Sequence, residues 1–213
     1  MTTPPATSRR YGGKSADQRR EERRRALVGA ATDIWQDQGW AAVTMRGVCA
    51  QAGLTDRYFY ESFANRDELL ATVWDQIRDE TLGMLLRVVA EHSDLPALEQ
   101  LRAALDVVVH HIQEEPARAQ LLFGDHSGSA ILEQRRRQTV QQATDILIQL
   151  SRPYLRDDVD EAAFRVNVLL GIGGFVEIML AWRSGLLDAD ADTLVAQLAD
   201  IATSLSGTFL RTG

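Results

Sequence analysis

Hydrogen-bonding side chains of several kinds lie close together between Thr44 and Leu70, in the segment TMRGVCAQAGLTDRYFYESFANRDELL. Asp56, Arg57 and Tyr60 fall on the face of a predicted helix opposite to Phe59, because residues three and four apart share a helix face. A guanidinium can bind guanine through two hydrogen bonds, and a carboxylate can accept one from cytosine. These residue types and spacings predict recognition of a polyanion, with base edges contacted by the exposed face.

Two short helices joined by a tight turn are the elements that must position this face. Thr44 and Thr55 are predicted to cap the two helices through their hydroxyls. Gly53 lies at the turn, where glycine adopts a positive φ without steric cost. Phe59 and Phe63 are predicted to face inward from the second helix. The inward positions of the first helix are Met45, Val48, Cys49 and Ala52. The pattern indicates a helix-turn-helix.

A longer run makes this pattern more specific than an arbitrary helical hairpin. This run resembles the signature of the TetR family of bacterial transcriptional regulators. Its matching parts, in order, are Gly53-Leu54-Thr55, Phe59-Tyr60, Phe63 and the helix start at 65–70. The chain departs from that signature in three places, which are Ser62 for His, Arg66 for Lys and Cys49 for Ala. Arginine retains a phosphate-binding cation, and cysteine is still small and apolar.

The resemblance implies an all-α protein that binds DNA through its N-terminal head. Thr44, Tyr60 and Arg66 match family positions that commonly contact phosphate, while Asp56 either accepts from cytosine or pairs with Arg57. The DNA-binding residues that we predict are Thr44, Arg46, Thr55, Asp56, Arg57, Tyr58, Tyr60 and Arg66. The domains that we predict are a disordered basic arm (1–15), a three-helix DNA-binding domain (16–64) and an effector-binding and dimerisation domain of about six helices (65–213).

The distribution of charge supports this division, although the net charge of −7 by itself argues against a nucleic-acid partner. Residues 1–66 contain 11 basic and 7 acidic side chains, whereas residues 67–213 contain 12 basic and 23 acidic ones. A basic head meets phosphate while an acidic body stays away from it. Arg9, Arg10 and Lys14 either reach a minor groove or belong to a solvated tail. The arginines at 19–25 either contact the DNA backbone or form a solvated face.

Hydrophobic periodicity predicts a helix at about 16–39 and further helices at about 66–91, 97–115, 116–123, 130–154, 159–184 and 190–210. Asn65 is expected to cap the first of these further helices and to form a capping box with Glu68. The last two helices carry the apolar surface FRVNVLLGIGGFVEIMLAW and an apolar stripe. They form either a dimer interface, as is the rule in the family, or a monomeric core. The dimer residues that we predict are Phe164, Val168, Gly171, Phe175, Leu194, Leu198, Ile201 and Leu205.

A small-molecule effector is expected between the connector helix and the three helices after it, with a mostly apolar lining that favours a hydrophobic ligand. The inward residues that we predict for this site are Trp74, Ile77, Thr81, Leu105, Val108, His111, Phe123, Thr139, Ala143 and Phe175. The alternative for each of them is an ordinary core position.

Catalytic and metal sites find no support in the residue pattern. The four histidines lack metal-ligand spacing with cysteine, and His110–Glu114 and His111–Glu115 are expected to be surface ion pairs. Cys49 lies in the predicted helix-turn-helix core and is a poor nucleophile. The run at 171–175 lacks the context of a nucleotide-binding loop. We therefore expect no enzyme, no cofactor and no metal.

The sequence also predicts where the protein acts. No apolar run approaches the roughly 18–20 residues that span a bilayer, the N-terminus is not a secretory signal, and one cysteine fits a reducing cytoplasm. The function predicted is a homodimeric repressor that binds a pseudo-palindromic operator and is released by an effector. The alternatives are a DNA-binding regulator without an effector and an all-α protein-interaction module.

Overall fold

The computed structural model describes residues 15–211. The predicted basic arm, with Arg9, Arg10 and Lys14, lies outside them apart from its last residue, Ser15. Within the described range the chain is all-α, with nine α-helices and a single isolated β-bridge between Leu155 and Leu210 as its extended pairing. The predicted fold class, three helices followed by six, is confirmed for this part of the chain.

The helices follow one another with short connections. They are α1 (Ala16–Gln38), α2 (Met45–Ala52), α3 (Asp56–Tyr60), α4 (Arg66–Glu91), α5 (Ala97–Glu114), α6 (Pro116–Phe123), α7 (Ala130–Ser151), α8 (Glu161–Arg183) and α9 (Ala191–Ser206), with 3₁₀ turns at Trp40–Ala42 and Arg152–Tyr154. Six of these helices begin at a residue whose side chain caps a backbone N–H, and Ser15 and Gln18 form a complete capping box at the start of α1. Most boundaries therefore follow from local hydrogen bonding.

The chain divides into two compact units, one ending at Val73 and the other beginning at Trp74. We call them the head and the body. The division lies two turns inside α4, rather than at its start as the sequence suggested, because Leu69, Leu70 and Val73 are fully buried in the head.

The head packs α1 against α2, α3 and the first 3₁₀ turn. The α1 stripe expected from periodicity is buried as predicted, at Leu27, Ala30, Ala31, Ile34 and Trp35. Phe59 and Phe63 are also buried, with ring centroids 5.7 Å apart. This core holds the two short helices, which could not persist alone at eight and five residues.

The body is organised around the packing of α5 against α9. Its buried cluster consists of Val108, Val109, Ile112, Ala119, Met179, Ala191, Leu194, Val195 and Leu198. The apolar stripe of α9 is therefore used inside the protomer. Helices α7 and α8 also pack on each other, and an open volume is left between them and helices α4 and α5.

Candidate functional site

The turn between α2 and α3 has the geometry that the sequence predicted. The Thr44 hydroxyl accepts from the Gly47 N–H at 3.1 Å. Gly53 has φ of 65°, in the left-handed region, and Leu54 N–H donates to the Cys49 carbonyl at 2.9 Å. Both predicted features, the cap at Thr44 and the glycine turn, are confirmed.

The first residues of α3 are presented to solvent. Thr55, Asp56 and Arg57 are exposed, Tyr58 is half-buried, and Tyr60 is 62% exposed although it follows the buried Phe59. The cap predicted for Thr55 is wrong in one detail, because its side chain makes no capping hydrogen bond. Its hydroxyl therefore remains available at the N-terminal end of α3.

Arg57 pairs with Glu61 rather than with Asp56. The Arg57 Nε donates to Glu61 Oε1 at 3.1 Å, and the other oxygen of Glu61 lies 3.5 Å from Arg23 of α1. Arg23 also stacks over the Tyr58 ring at 4.4 Å. Glu61 thus holds two guanidinium groups at the exposed end of the head. The Arg57–Glu61 spacing of four residues was the signal that could have found it.

Other arginines of α1 hold the end of the helix-turn-helix. Arg20 donates to the Glu61 carbonyl at 2.7 Å, and Arg24 donates to the Ser62 carbonyl at 2.8 Å. Arg24 also lies over the Phe63 ring at 4.3 Å. These cations satisfy carbonyls just beyond α3, where the helix dipole favours positive charge. Part of the arginine-rich segment therefore positions α3 instead of merely facing solvent.

Arg66 is committed to the protein backbone. Its guanidinium donates to the carbonyls of Val43 and Trp40, the latter at 2.6 Å, and lies over the Trp40 ring. A lysine could not span both carbonyls with a planar fork. Arg46 is different, because it is exposed and forms no hydrogen bond or ion pair within residues 15–211. Of these two predicted DNA contacts, Arg46 has the cation free for phosphate.

The start of α4 is capped nearly as predicted. Asn65 accepts from the Glu68 N–H at 2.9 Å, but the Glu68 carboxylate accepts from Ala64 instead of closing the box on Asn65. The predicted capping box is thus shifted by one residue at its second bond.

The body contains an elongated cavity of about 580 Å³, which is lined mainly by α4, α5, α7 and α8 and also by residues of α6 and α9. That volume lies within the range of about 300–1,000 Å³ that is usual for small-molecule sites. Of the ten residues predicted to form the effector site, eight line it: Trp74, Thr81, Leu105, Val108, Phe123, Thr139, Ala143 and Phe175. Trp74 Nε1 donates to the Thr139 hydroxyl at 3.1 Å, and the rings of Phe123 and Phe175 meet edge to face.

Two of the predicted effector-site residues, Ile77 and His111, do not line this cavity. Ile77 is buried but does not reach the cavity, and the part of α5 that lines it ends at Val108, one turn before His111. Inward spacing identifies a helix face that is buried, but it does not distinguish packing against a neighbour from facing an open volume. The lining also includes Arg136, Gln100 and Tyr154, which periodicity did not single out because they are polar.

The predicted dimer residues lie mostly inside the protomer. Phe164, Val168, Leu194 and Leu198 are buried, and Gly171, Phe175 and Leu205 are half-buried around the cavity. Only Ile201 among the eight is exposed, at 47%. The exposed apolar face of α8 is a neighbouring stripe, formed by Val166, Leu169 and Leu170. We call it the α8 stripe. The three- and four-residue spacing of the α8 stripe is visible in the sequence, but the buried residues of α8 have a similar spacing. The spacing therefore does not show which of the two faces is exposed.

The sequence expectation that no segment is long and apolar enough to span a bilayer is corrected by α8. Among the described residues, this helix of 23 residues reaches a mean hydropathy of 1.6, and 17% of that window is buried in the protomer. Length and composition alone are weak evidence, since core helices pass the same test. The polar residues Arg165, Asn167 and Glu177 lie within this apolar helix.

His110 and Cys49 have surroundings that the structure defines. His110 contacts the Asp106 carbonyl at 2.9 Å and lies 3.4 Å from Asp192, so the expected pairing with Glu114 is replaced. These three side chains could hold a cation on the surface. Burial and the nearby Asp56 raise the pKa of the Cys49 thiol, which keeps it protonated at neutral pH.

Comparisons with known proteins agree with this geometry. Residues 27–73 match the family TetR_N, described as bacterial regulatory proteins of the tetR family. The chain is 32% identical over 106 residues to the HTH-type transcriptional repressor Rv3405c of Mycobacterium tuberculosis, covering 50% of each protein. It is 26% identical over 119 residues to the HTH-type transcriptional activator FasR of Mycolicibacterium smegmatis, covering 56% of this chain and 52% of that protein. The matches thus span about half the length of these curated relatives.

Solved structures share the fold. NalD, the secondary repressor of the MexAB-OprM multidrug efflux pump in Pseudomonas aeruginosa, superposes with a TM-score of 0.66 at 17% identity, covering 91% of this chain and 100% of that one. FadR from Bacillus subtilis, in complex with stearoyl-CoA, gives 0.64 at 15% identity, covering 84% and 97%. At such identities the likeness shows a common architecture.

Proposed function

We propose a specific DNA-binding function for this chain, which belongs to the tetR family of bacterial regulatory proteins. It is a transcriptional regulator that binds a pseudo-palindromic operator as a homodimer, and it acts as a repressor in the cytoplasm that is released by a small, largely hydrophobic effector. The family and the regulatory role are the premise. The dimer, the operator, the direction of regulation and the release are the proposal.

The observation that carries the proposal is the exposed face of the helix-turn-helix. Thr55, Asp56, Arg57 and Tyr60 project from α3, which is held from behind by Phe59. A short helix presented in this way can enter a major groove, where Arg57 would read a base edge. Thr44 and Arg46 at the start of α2 would contact phosphate and set the register.

The α8 stripe supports a homodimer. Val166 is 66% exposed and Leu170 is 61% exposed, and Gly173 continues the same face with no heavy atom within 4 Å of a built Cβ. A contiguous apolar helix face on the surface indicates an interaction site. A two-fold related copy would pair this stripe with itself and so bury it. The resulting pair of heads would match a palindromic site.

The cavity supports control by a small molecule. An effector that binds one conformation of the dimer more tightly than the other shifts the population towards the first. If that conformation binds the operator poorly, the effector releases the protein, and linkage requires the operator to weaken effector binding by the same factor. The FadR neighbour binds stearoyl-CoA, whose acyl chain is apolar, and this supports an effector with an apolar chain for this architecture. Repression is proposed because the relative that is 32% identical is named a repressor.

The decisive experiment is a titration of the protein against the DNA that flanks its own gene, at several salt concentrations. We expect a dimer-sized footprint on a palindrome, with an affinity that falls linearly on a log–log plot against salt. The matched variant Arg57→Ala should lose specific binding and keep salt-dependent non-specific binding. If neither the flanking DNA nor a selection from random sequences yields a specific site, the proposed function is wrong.

A further inference from the structure

The cavity in the body runs along its lining helices instead of across them. On α4 its lining extends from Trp74 to Val89, which corresponds to about 22 Å of helix at about 1.5 Å per residue. The cavity is therefore several times longer than a ring-sized ligand requires. An extended chain is the shape that it fits.

Contacts between the helices show which residues lie at each end. Trp74 bonds to Thr139, and Arg136 lies 4.0 Å from Glu177, so these residues mark one end. At the opposite end Gln100 donates to the Tyr154 hydroxyl at 2.8 Å. Helices α4 and α7 thus run away from the first end, whereas α5 and α8 run towards it.

The two ends differ in charge. Among the described residues that line the cavity, none is acidic, and the two cations, Arg78 and Arg136, both lie at the Trp74 end. The far end is polar but neutral, and its groups are used within the protein: Gln100 bonds to Tyr154, and Asn167 donates to the Leu205 carbonyl at 2.7 Å. The walls between the ends are apolar.

Only one of the two cations is available to a ligand. Arg78 is held by Asp75 at 2.7 Å and by Asp79 at 2.8 Å. The guanidinium of Arg136 has one ion pair among the described residues, a 4.0 Å contact with the mostly exposed Glu177, and its side chain is 46% exposed. A weakly paired guanidinium at the solvent-exposed end of an apolar channel can form charge-assisted hydrogen bonds with an anionic group at one end of a ligand.

We infer that the cavity takes a long-chain anionic amphiphile, with its head group bound by Arg136 and its aliphatic tail extended along the channel towards Tyr154. This inference rests on the proposed function in that it treats the cavity as the effector site. A carboxylate and a phosphate monoester offer the same chemistry to the guanidinium, and the charge on the head is what the site selects. Uncharged or cationic amphiphiles of equal length would bind through the tail alone.

The test compares ligands that share one tail. Binding of dodecanoate, dodecyl phosphate, 1-dodecanol and dodecyltrimethylammonium is measured by calorimetry below the concentrations at which they form micelles. At least one of the two anions should bind ten-fold or more tightly than the alcohol, and the cation should bind most weakly. The tighter of the two anions identifies the head group. If the alcohol binds as tightly as both anions, or if no probe binds, the inference is wrong.

Variants of two neighbouring arginines test the role of Arg136. Arg136→Gln should weaken the better anion about ten-fold or more, as expected for a lost charge-assisted hydrogen bond, and should leave 1-dodecanol within about two-fold. Arg136→Lys should recover part of the affinity. Arg137→Gln is the matched control, since Arg137 lies on the same helix but outside the cavity lining. Equal effects of the two Gln variants, or none from Arg136→Gln, would overturn the assignment.

The operator titration separates this inference from the proposed function. If the protein binds its operator but shows no preference for anions, the proposed regulatory function stands and the inference about the ligand is wrong. If the protein binds dodecanoate through Arg136 but binds no specific DNA, the inferred ligand class stands and the proposed regulatory function is wrong.

Discussion

At the scale of single residues, the exposed face of α3 is arranged by charges beneath it. Glu61 shares its two carboxylate oxygens between Arg57 and Arg23, one from the recognition helix and one from α1. The pair with the exposed Arg57 contributes little to stability, because solvent screens it. Its effect is geometric, since it limits where the Arg57 guanidinium can point. Glu61 is therefore a positioning residue in the proposed DNA contact.

Replacing Glu61 with Gln should alter specificity more than stability. The free energy of unfolding, measured by urea denaturation, should change by less than about 1 kcal/mol. Non-specific affinity for DNA should increase because a negative charge is removed, while discrimination at the base pair read by Arg57 should fall several-fold. Binding to a library of single-base operator variants measures both. Glu21→Gln, which removes an exposed carboxylate of α1, should leave discrimination unchanged.

Arg66 has a structural role in the head, which a conservative substitution should reveal. Arg66→Lys cannot satisfy the carbonyls of Trp40 and Val43 together, so the head should lose about 1–2 kcal/mol of stability. Chemical denaturation followed by circular dichroism measures this loss. Arg46→Lys, at an exposed cation, should cost almost nothing. Normal stability of Arg66→Lys together with weaker DNA binding would instead assign Arg66 to phosphate contact.

At the scale of helices, α8 has three apolar faces with different uses. Met179 is buried against the core, whereas Phe164, Val168, Gly171 and Gly174 line the cavity. The α8 stripe is exposed, and its Leu170 also borders the cavity. No heavy atom lies within 4 Å of a Cβ built at either of these glycines. They therefore leave open volume for a ligand. The high hydropathy of α8 follows from these combined uses.

A charge placed on the α8 stripe should dissociate the proposed dimer without unfolding the protomer. Val166→Glu exposes no new cavity, because Val166 is 66% exposed and does not line the ligand site. Sedimentation velocity should show a monomer with unchanged helicity and with weakened operator binding. Leu186→Glu, at a residue that is 79% exposed beyond the end of α8, should remain dimeric. A Val166→Glu variant that sediments as a dimer would place the interface elsewhere.

At the scale of the whole molecule, the chain combines a small head and a larger body, each with its own core. The fully buried residues of the head include Trp35, Phe59 and Phe63, and those of the body include Leu121, Leu132 and Met179. Helix α4 contributes its first two turns to the head and the rest to the body. A ligand that contacts α4 in the body thus binds the same helix that completes the head. We expect this helix to couple the proposed effector binding by the body to the proposed DNA binding by the head.

The stability of the body should depend on pH through His126. Burial lowers the pKa of this histidine from its ordinary 6.5 to about 4, and Arg136 and Arg183 act in the same direction. Between these values the unfolded state binds the proton more readily than the native state. Stability should therefore be complete above pH 6.5 and fall towards pH 4, by up to about 3 kcal/mol at about 1.4 kcal/mol per pH unit.

Thermal unfolding at a series of pH values measures this effect. The variant His126→Gln, which does not titrate, should lose less stability over the same interval than the wild type. Parallel acid sensitivity of the two proteins would show that other groups are responsible.

The sequence by itself determined the features that depend on neighbours within a few residues. The cap at Thr44, the positive φ of Gly53, the proline start of α6 and the buried stripe of α1 all follow from local hydrogen bonding and a period of 3.6 residues. The family signature consists of such local features. That is why the head and the class of fold could be predicted.

Tertiary structure decided which apolar face meets which partner. Leu194 and Leu198 pack on α5, His111 lies beyond the cavity, and Arg57 pairs with a carboxylate that also bonds to α1. Periodicity identifies an apolar helix face. The same apolar side chains would serve in a core, along a cavity or against a second copy of the chain, so periodicity does not distinguish these three uses. The choice among them depends on the relative placement of helices far apart in the chain, and no short-range spacing encodes that placement.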